Sequence, residues 1–284
     1  MKHRIALLAD VHGNATALQA VVEDSIRQNV TEYWFLGDLI LPGPGGAELF
    51  QILEQVNTTV FVKGNWEDCF LDVLVGNVDL TDPSDLYLAK LSQSLFPKLQ
   101  NDELGKLKRW PLQEIKKVHD LHIGISHNLP QQNYGGALLP TNEQQHFDQL
   151  FSEGENIDIA VYAHVHHPLM RYGSQEQLII NPGSIGQPFN KWPNLQPDLR
   201  AQYAILEIDG RGFSGVDFRK VAYDVQKEID LAEQASWPYL ALYKELLQTG
   251  KAYTHDHELL GKLNVAYQYE KDVRQFLAKQ IVEN

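Results

Sequence analysis

From Arg4 to about Ala222 the chain repeatedly sets a short apolar run against an amphipathic or polar stretch, and this alternation restricts it to a layered α/β fold. Runs at Ile5 to Ala9, Tyr33 to Leu36, Thr59 to Val62, Leu121 to Ser126, Asp158 to Ala163, Leu178 to Ile180, Ala201 to Ile208 and Gly215 to Val221 have the length and composition of strands. Between the first two, Asn14 is placed to cap a helix in which Leu18, Val21, Val22 and Ile26 recur at helical spacing. The chain therefore opens as a β-α-β unit. Residues from about Trp66 to Lys117 break the alternation, with leucines spread among Asp, Ser and Lys, and predict a helical insertion over about 66–117. After Tyr223 the sequence turns charged and helical, with breaks at Pro238 and Gly250. The expected organisation is a core over 1–222 carrying the insertion, and a helical extension over 223–284. That extension is expected to pack on the core rather than form an independent domain, and a lid role is left open.

Composition narrows the chemistry. At 284 residues and 43% hydrophobic content the chain can bury a full core. No run of about 18 apolar residues occurs, and Asp10 interrupts the first apolar run too early for a secretory signal, so a cytoplasmic, membrane-free protein is expected. A single cysteine, Cys69, excludes an intrachain disulfide and a thiolate metal cage. Only His, Asp, Glu and Asn remain as metal ligands. The net charge of −13 disfavours a long nucleic acid as partner, because affinity for a polyanion comes from Lys and Arg. A small phosphate compound stays compatible, since bound cations can invert the local field.

The residues that follow the predicted strands are Asp10-Val11-His12-Gly13-Asn14, Gly37-Asp38, Gly64-Asn65-Trp66-Glu67, His127-Asn128, His164-Val165-His166 and Asn181-Pro182-Gly183-Ser184. Each of the first five offers a metal ligand. In open α/β sheets ligands bind outside the carboxyl ends of the strands, so these scattered segments can converge. Taken singly, each has a plainer use: Asp10 as a helix cap, Gly37-Asp38 as a turn, Asn65 as a turn residue, His127 as a satisfied core histidine. One metal site explains them together. A second histidine pair, His255-Asp256-His257, lies in a polar stretch read as helical and receives no role.

In their order and spacing, Asp10-x-His12, Gly37-Asp38, Gly64-Asn65, His127 and His164-x-His166 resemble the motifs of the calcineurin-like metallophosphoesterases. The stretches Ala9 to Asn14 and Ile180 to Pro188 are similar to its small bacterial phosphodiesterase branch. The insertion and tail look closest to firmicute phosphodiesterases and asymmetric dinucleoside tetraphosphate hydrolases. The resemblance implies a four-layer α/β/β/α sandwich and a centre of two divalent or mixed-valence metal ions. By motif, Asp10, His12 and His166 would hold one ion, Asn65, His127 and His164 the other, and Asp38 would bridge them. Mn and Fe head the candidates, with Zn, Ni or Co compatible with the same donors. Paired cations about 3.5–4 Å apart leave such a site positive, bind phosphate oxygens and turn a bridging water into a hydroxide nucleophile at neutral pH. The implied substrate is a small nucleotide-type phosphodiester or phosphoanhydride. Asn14, Asn128, Ser184 and Arg200 are the candidate substrate contacts, although Asn14 also suits a cap and Arg200 a surface pair with Asp198.

One departure bears on substrate choice. Many members carry a histidine where this chain has Trp66, and that histidine usually helps the leaving group depart. An indole cannot supply a proton. An alkoxide resembles water, with a pKa near ~15.7, whereas a departing terminal phosphate resembles a group near ~6 and needs no acid. Activated leaving groups are therefore expected, with His12, Glu67 or a metal ion giving any assistance. A non-catalytic scaffold of the same fold is the alternative from another class. A phosphoprotein phosphatase fits the acidic charge less well. The sequence does not decide oligomeric state, and a homo-oligomer is compatible with it.

Overall fold

Ten strands form because apolar residues fill both faces of most of them, which makes them read as continuous apolar runs rather than alternating ones. The computed structural model describes residues 2–154 and 156–283. Its strands are β1 (His3–Leu8), β2 (Glu32–Phe35), β3 (Thr58–Phe61), β4 (Gln113–Val118), β5 (Leu121–Ser126), β6 (Ile159–Val161), β7 (Leu169–Tyr172), β8 (Leu178–Asn181), β9 (Ala201–Asp209) and β10 (Gly212–Val221). They make two five-stranded mixed sheets, ordered β10-β9-β1-β2-β3 and β4-β5-β6-β8-β7. In the first, β1, β2 and β3 run parallel. In the second, β5, β6 and β8 do.

The sheets face each other across a buried layer. Ile5, Leu7, Trp34, Leu36, Val60 and Leu206 of the first sheet meet Ile123, Ile125, Ile159, Val161 and Ile180 of the second. Alternate residues of the same strands, Ala6, Leu8, Phe35 and Ile205, turn outward into a helical layer. That layer includes α1 (Ala15–Arg27) and α2 (Ala47–Glu54), followed by the insertion helices α3 (Asn65–Leu74), α4 (Pro83–Leu95) and α5 (Asn101–Arg109). In α1, Leu18, Val21 and Val22 are buried, while Ile26 is exposed at the last turn. The outer face of the second sheet carries a thinner layer: Ala160, Tyr162 and Ile179 pack under Leu138, Phe147 and Leu150, around the short helix α6 (Gln144–Asp148). The architecture is the expected α/β/β/α sandwich with a helical insertion and a helical extension.

The insertion is shorter than the predicted 66–117. Its helices end at Arg109, and Gln113–Val118 is an edge strand paired antiparallel with β5. Its Gln-Glu-Ile-Lys-Lys-Val sequence is half-exposed, so no apolar run marks it. The C-terminal helices are α7 (Val225–Gln234), α8 (Leu240–Thr249), α9 (His257–Ala266) and α10 (Tyr269–Glu283). Trp237 Nε1 donates to the Pro42 carbonyl at 2.7 Å, and buried Glu228 accepts from Thr16 Oγ1 at 2.6 Å and Tyr243 Oη at 3.0 Å. Asn264 Nδ2 donates to the Pro83 carbonyl at 3.2 Å, and Lys90 pairs with Asp272 at 3.1 Å. These contacts set the α8 to α9 connection beside the insertion. Among the described residues, no helix is long and apolar enough to cross a membrane.

Candidate metal centre

All seven predicted ligands leave the carboxyl ends of parallel strands, four from the first sheet and three from the second. Asp10 and His12 follow β1, Asp38 follows β2, and Asn65 follows β3 as the first residue of α3; His127 follows β5, and His164 and His166 follow β6. Backbone hydrogen bonds tie these turns together: Asp10 N to Gly37 O at 3.0 Å, His12 N to Asp38 O at 3.0 Å, and Ala163 N to His127 O at 2.9 Å. Five of the seven adopt left-handed backbone, at φ values of 53° for Asp10 and His12, 57° for Asp38, 66° for His164 and 55° for His166. Such a conformation costs on the order of 1–3 kcal/mol for a residue with a Cβ, and the packed turns impose it. Asp and His tolerate it better than branched residues, so nothing in the sequence announced it.

The side chains converge as two groups, Asp10 with His12 and His166, and Asp38 with His127 and His164, with the ligand atoms of each within 4.8 Å of one another. Asp38 Oδ2 lies 3.3 Å from His127 Nε2 and 3.7 Å from His12 Nε2, so it adjoins both. Asn65 Oδ1 lies 3.2 Å from His127 Nε2. Three of the imidazoles are oriented from behind: Nδ1 of His12, His127 and His166 lies 2.9, 2.7 and 2.7 Å from the carbonyls of Leu41, Leu36 and Gln187. A carbonyl can only accept, so each Nδ1 is the protonated nitrogen and Nε2 faces the centre. No hydrogen bond of good geometry reaches either carboxylate oxygen of fully buried Asp10, whose near neighbour is His166 Nε2 at 3.4 Å. A buried carboxylate in that state calls for a cation. The donor set therefore fits two metal ions.

Electrostatics separate the four rings. Burial, opposed by the Asp38 carboxylate, pushes His12 down to about 4, and burial together with the charge of His127 does the same for His164. Both rings are neutral at pH 7, as a ligand must be. Burial also disfavours a charged His127, but the adjoining Asp38 carboxylate outweighs it and holds the ring up at about 9. His166 is raised in the same way by Asp10, and Asp38 is itself held well below the usual carboxylate range by His127 despite burial. Cations would compete for the nitrogens that these protons occupy.

Several predicted contacts have other duties. Glu67 is fully buried, and its carboxylate accepts from the backbone N–H groups of Asp38, Leu39 and Gly64 at 2.8 Å each. Burial and the nearby Asp38 raise it to about 7, against those donors. It is a clamp between two ligand turns and does not line the cleft, so it is not placed to assist departure as the sequence predicts. His12 does line the cleft, as a neutral ring whose Nδ1 proton is directed at the Leu41 carbonyl. Ser184 Oγ donates to the Asp10 carbonyl at 2.9 Å, and so positions a ligand rather than a substrate. Asn14 caps α1 through Ala17 N at 2.9 Å and donates to Tyr223 Oη. Buried Asn128 donates to the carbonyls of Tyr134 and Gly135. Arg200 pairs with Asp198 at 2.8 Å on the surface. None of these four reaches the cleft.

Close backbone approach explains the two glycines. A Cβ on Gly64 would lie 2.1 Å from Asp38 Oδ1, and one on Gly37 would meet Gly64 N at 2.6 Å in a backbone of φ +97°. Gly64→Ala should therefore displace the Asp38 carboxylate and cut metal-dependent turnover about 10–100-fold, the usual penalty for disturbing a ligand's support. Steady-state kinetics with metal content measured alongside would check this, and wild-type values in both would refute the contact.

A cleft of about 760 Å³ opens over the centre. His12, Asp38, Asn65, His164 and His166 line it, together with Trp66 and Cys69 of α3, Ser84, Asp85 and Leu88 of α4, and residues from the α8 to α9 connection. The Trp66 ring stands edge-on to His12, with centroids 5.7 Å apart.

Residues 3–211 match the calcineurin-like phosphoesterase superfamily domain. The chain belongs to this superfamily. A crystal structure of a metallophosphoesterase from Sphaerobacter thermophilus superposes on this phosphoesterase with a TM-score of 0.66 and 25% identity, covering 88% of this chain and all of that one. An uncharacterized protein of Methanocaldococcus jannaschii is 26% identical over 245 residues, 80% of this chain and 90% of its own length. A symmetrical bis(5'-nucleosyl)-tetraphosphatase of Klebsiella pneumoniae is 32% identical over 127 residues. That match spans 42% of this chain and 43% of the relative. Metal-ion chemistry at phosphorus is thus a family property, and the ligand groups above are where this phosphoesterase can house it.

Proposed function

We propose that this phosphoesterase hydrolyses phosphodiester or phosphoanhydride bonds of small nucleotide-type substrates at a binuclear centre, with Asp10, His12 and His166 on one ion, Asn65, His127 and His164 on the other, and Asp38 between them. The observation that carries the reading is the pair of adjoining histidine-carboxylate groups, one built on Asp10, whose buried carboxylate has no well-formed hydrogen bond, and the other on Asp38. Divalent cations in that donor set would supply Lewis-acid charge to phosphoryl oxygens and a water acidic enough to attack at neutral pH. The protein's part is to hold the ligands. The carbonyls of Leu36, Leu41 and Gln187 keep three imidazoles in one tautomer, and Glu67 and Ser184 fix the backbone of Asp38 and Asp10. The cleft volume favours a small substrate, and the net charge of −13 argues against long nucleic acid. The tetraphosphatase relative supports a dinucleoside polyphosphate within that class.

The test is turnover of an aryl phosphodiester by chelator-treated protein reloaded with Mn, Fe, Zn, Ni or Co in turn. Activity with no metal dependence would overturn the reading, and binding of metal without turnover of any diester or dinucleoside polyphosphate would favour a scaffold. Trp66 makes a sharper test. With no proton donor there, an alkyl diester should turn over far more slowly than an aryl one, and Trp66→His should narrow that gap at least about ten-fold by restoring an acid. Comparable wild-type turnover of both diesters under saturating metal would sink the leaving-group preference.

A further inference from the structure

The cleft extends beyond the metal centre, and no lysine or arginine is among its lining residues. Outside the centre, the side chains there that can carry positive charge are His255 and His257. They flank the start of α9, in a part of the chain beyond the family match, which ends at residue 211. The segment is held in place. Tyr253 is buried in the main core, Asp256 Oδ1 accepts from Leu259 N at 3.0 Å, and His257 Nδ1 lies 3.8 Å from Asp82 Oδ2. His255 lines the cleft and makes no hydrogen bond or ion pair with the described residues, so its ring nitrogens are open to a ligand. Each of the three nearby carboxylates already has a donor: Asp82 accepts from Ser84 N at 2.8 Å and faces His257, Asp256 caps α9, and Asp85 Oδ2 accepts from Asp79 N at 3.1 Å.

Building on the phosphoesterase reading above, we propose that His255 contacts the departing half of the substrate and that this half carries phosphate. No lysine or arginine lines the rest of the cleft, so a leaving group ending in phosphate would find its side-chain N–H donor in the His255 ring, with His257 beside it. A substrate whose leaving group is a bare aryl or alkyl group would make no use of this subsite. The extension thus selects among substrates that the centre alone would accept.

The test compares kcat/KM of the full, Mn-loaded protein for a dinucleoside tetraphosphate and for bis(p-nitrophenyl) phosphate, in wild type, His255→Ala and His255→Arg. His255→Ala should lose about ten-fold more on the tetraphosphate than on the aryl diester, mainly through KM, as expected for one charged hydrogen bond. His255→Arg should restore part of that difference, which a merely structural role would not produce. Unfolding temperature and metal content of the variants exclude indirect effects. Equal losses on both substrates, no loss on either, or wild-type turnover of the aryl diester without the tetraphosphate would each overturn the subsite and leave the phosphoesterase reading standing. A wild-type protein that turns over neither substrate with any metal would overturn both.

Discussion

Replacing Asp38 by alanine is expected to lower turnover of an aryl phosphodiester at least about a thousand-fold, since an oxygen ligand shared by two cations supports several kcal/mol of transition-state stabilisation. The expectation rests on placement: Asp38 Oδ2 lies 3.3 and 3.7 Å from histidine nitrogens that belong to different ligand groups. Its neighbours should show graded metal losses. His166→Ala removes a ligand from the Asp10 group, and His164→Ala one from the Asp38 and His127 group. Each should therefore retain about one of two metal equivalents while failing in turnover. Elemental analysis of protein dialysed against buffered metal would measure this. Full turnover in Asp38→Ala, or identical loss of both ions in the two histidine variants, would refute the division of ligands.

Glu67→Ala should act on stability as well as activity. The side chain is fully buried and gathers N–H groups from the Asp38 turn and from Gly64. Removing it leaves those donors buried without partners, and the cost of about 3–5 kcal/mol is that of breaking one member of a buried charged network. For a chain of this size that corresponds to a melting temperature lower by about 10 °C. Thermal unfolding of chelator-treated protein would isolate this effect from metal loss. Glu67→Gln keeps one acceptor oxygen and should fall between. An unfolding temperature within a degree of wild type for Glu67→Ala would show that the turns hold without the clamp.

The candidate ligands are legible because their segments close apolar runs, directly at Ala9-Asp10 and Ala163-His164 and within three residues at Asp38, Asn65 and His127. Edge strands were harder. In β7 and β4 one face is exposed and the residues are mixed, so Leu169–Tyr172 and Gln113–Val118 lack the signal that β1 and β5 carry. The support around the centre was invisible for a different reason. Backbone carbonyls such as those of Leu36 and Gln187 have no sequence signature. Glu67 reaches back to Gly64 N at the start of α3, yet the clamp also depends on Asp38 and Leu39, far away in the chain. His255-Asp256-His257 reads in the sequence as part of one helical stretch. In fact Asp256 is the cap, His255 precedes the helix, and the family motifs give no reason to look there.

Because each ligand group takes side chains from strands of both sheets, any ion it holds is also a cross-link across the sandwich seam. Asp10 and His12 reach it from one sheet and His166 from the other; Asp38 meets His127 and His164 in the same way. The apolar layer between the sheets is continuous away from this end, but here it gives way to buried carboxylates and imidazoles. Ion-free protein is then least cohesive at its own mouth, and saturation at a hundred times the dissociation constant would tighten the sheet pair by about 2.7 kcal/mol per ion. Cofactor supply would thus set the lifetime of the fold as well as its chemistry.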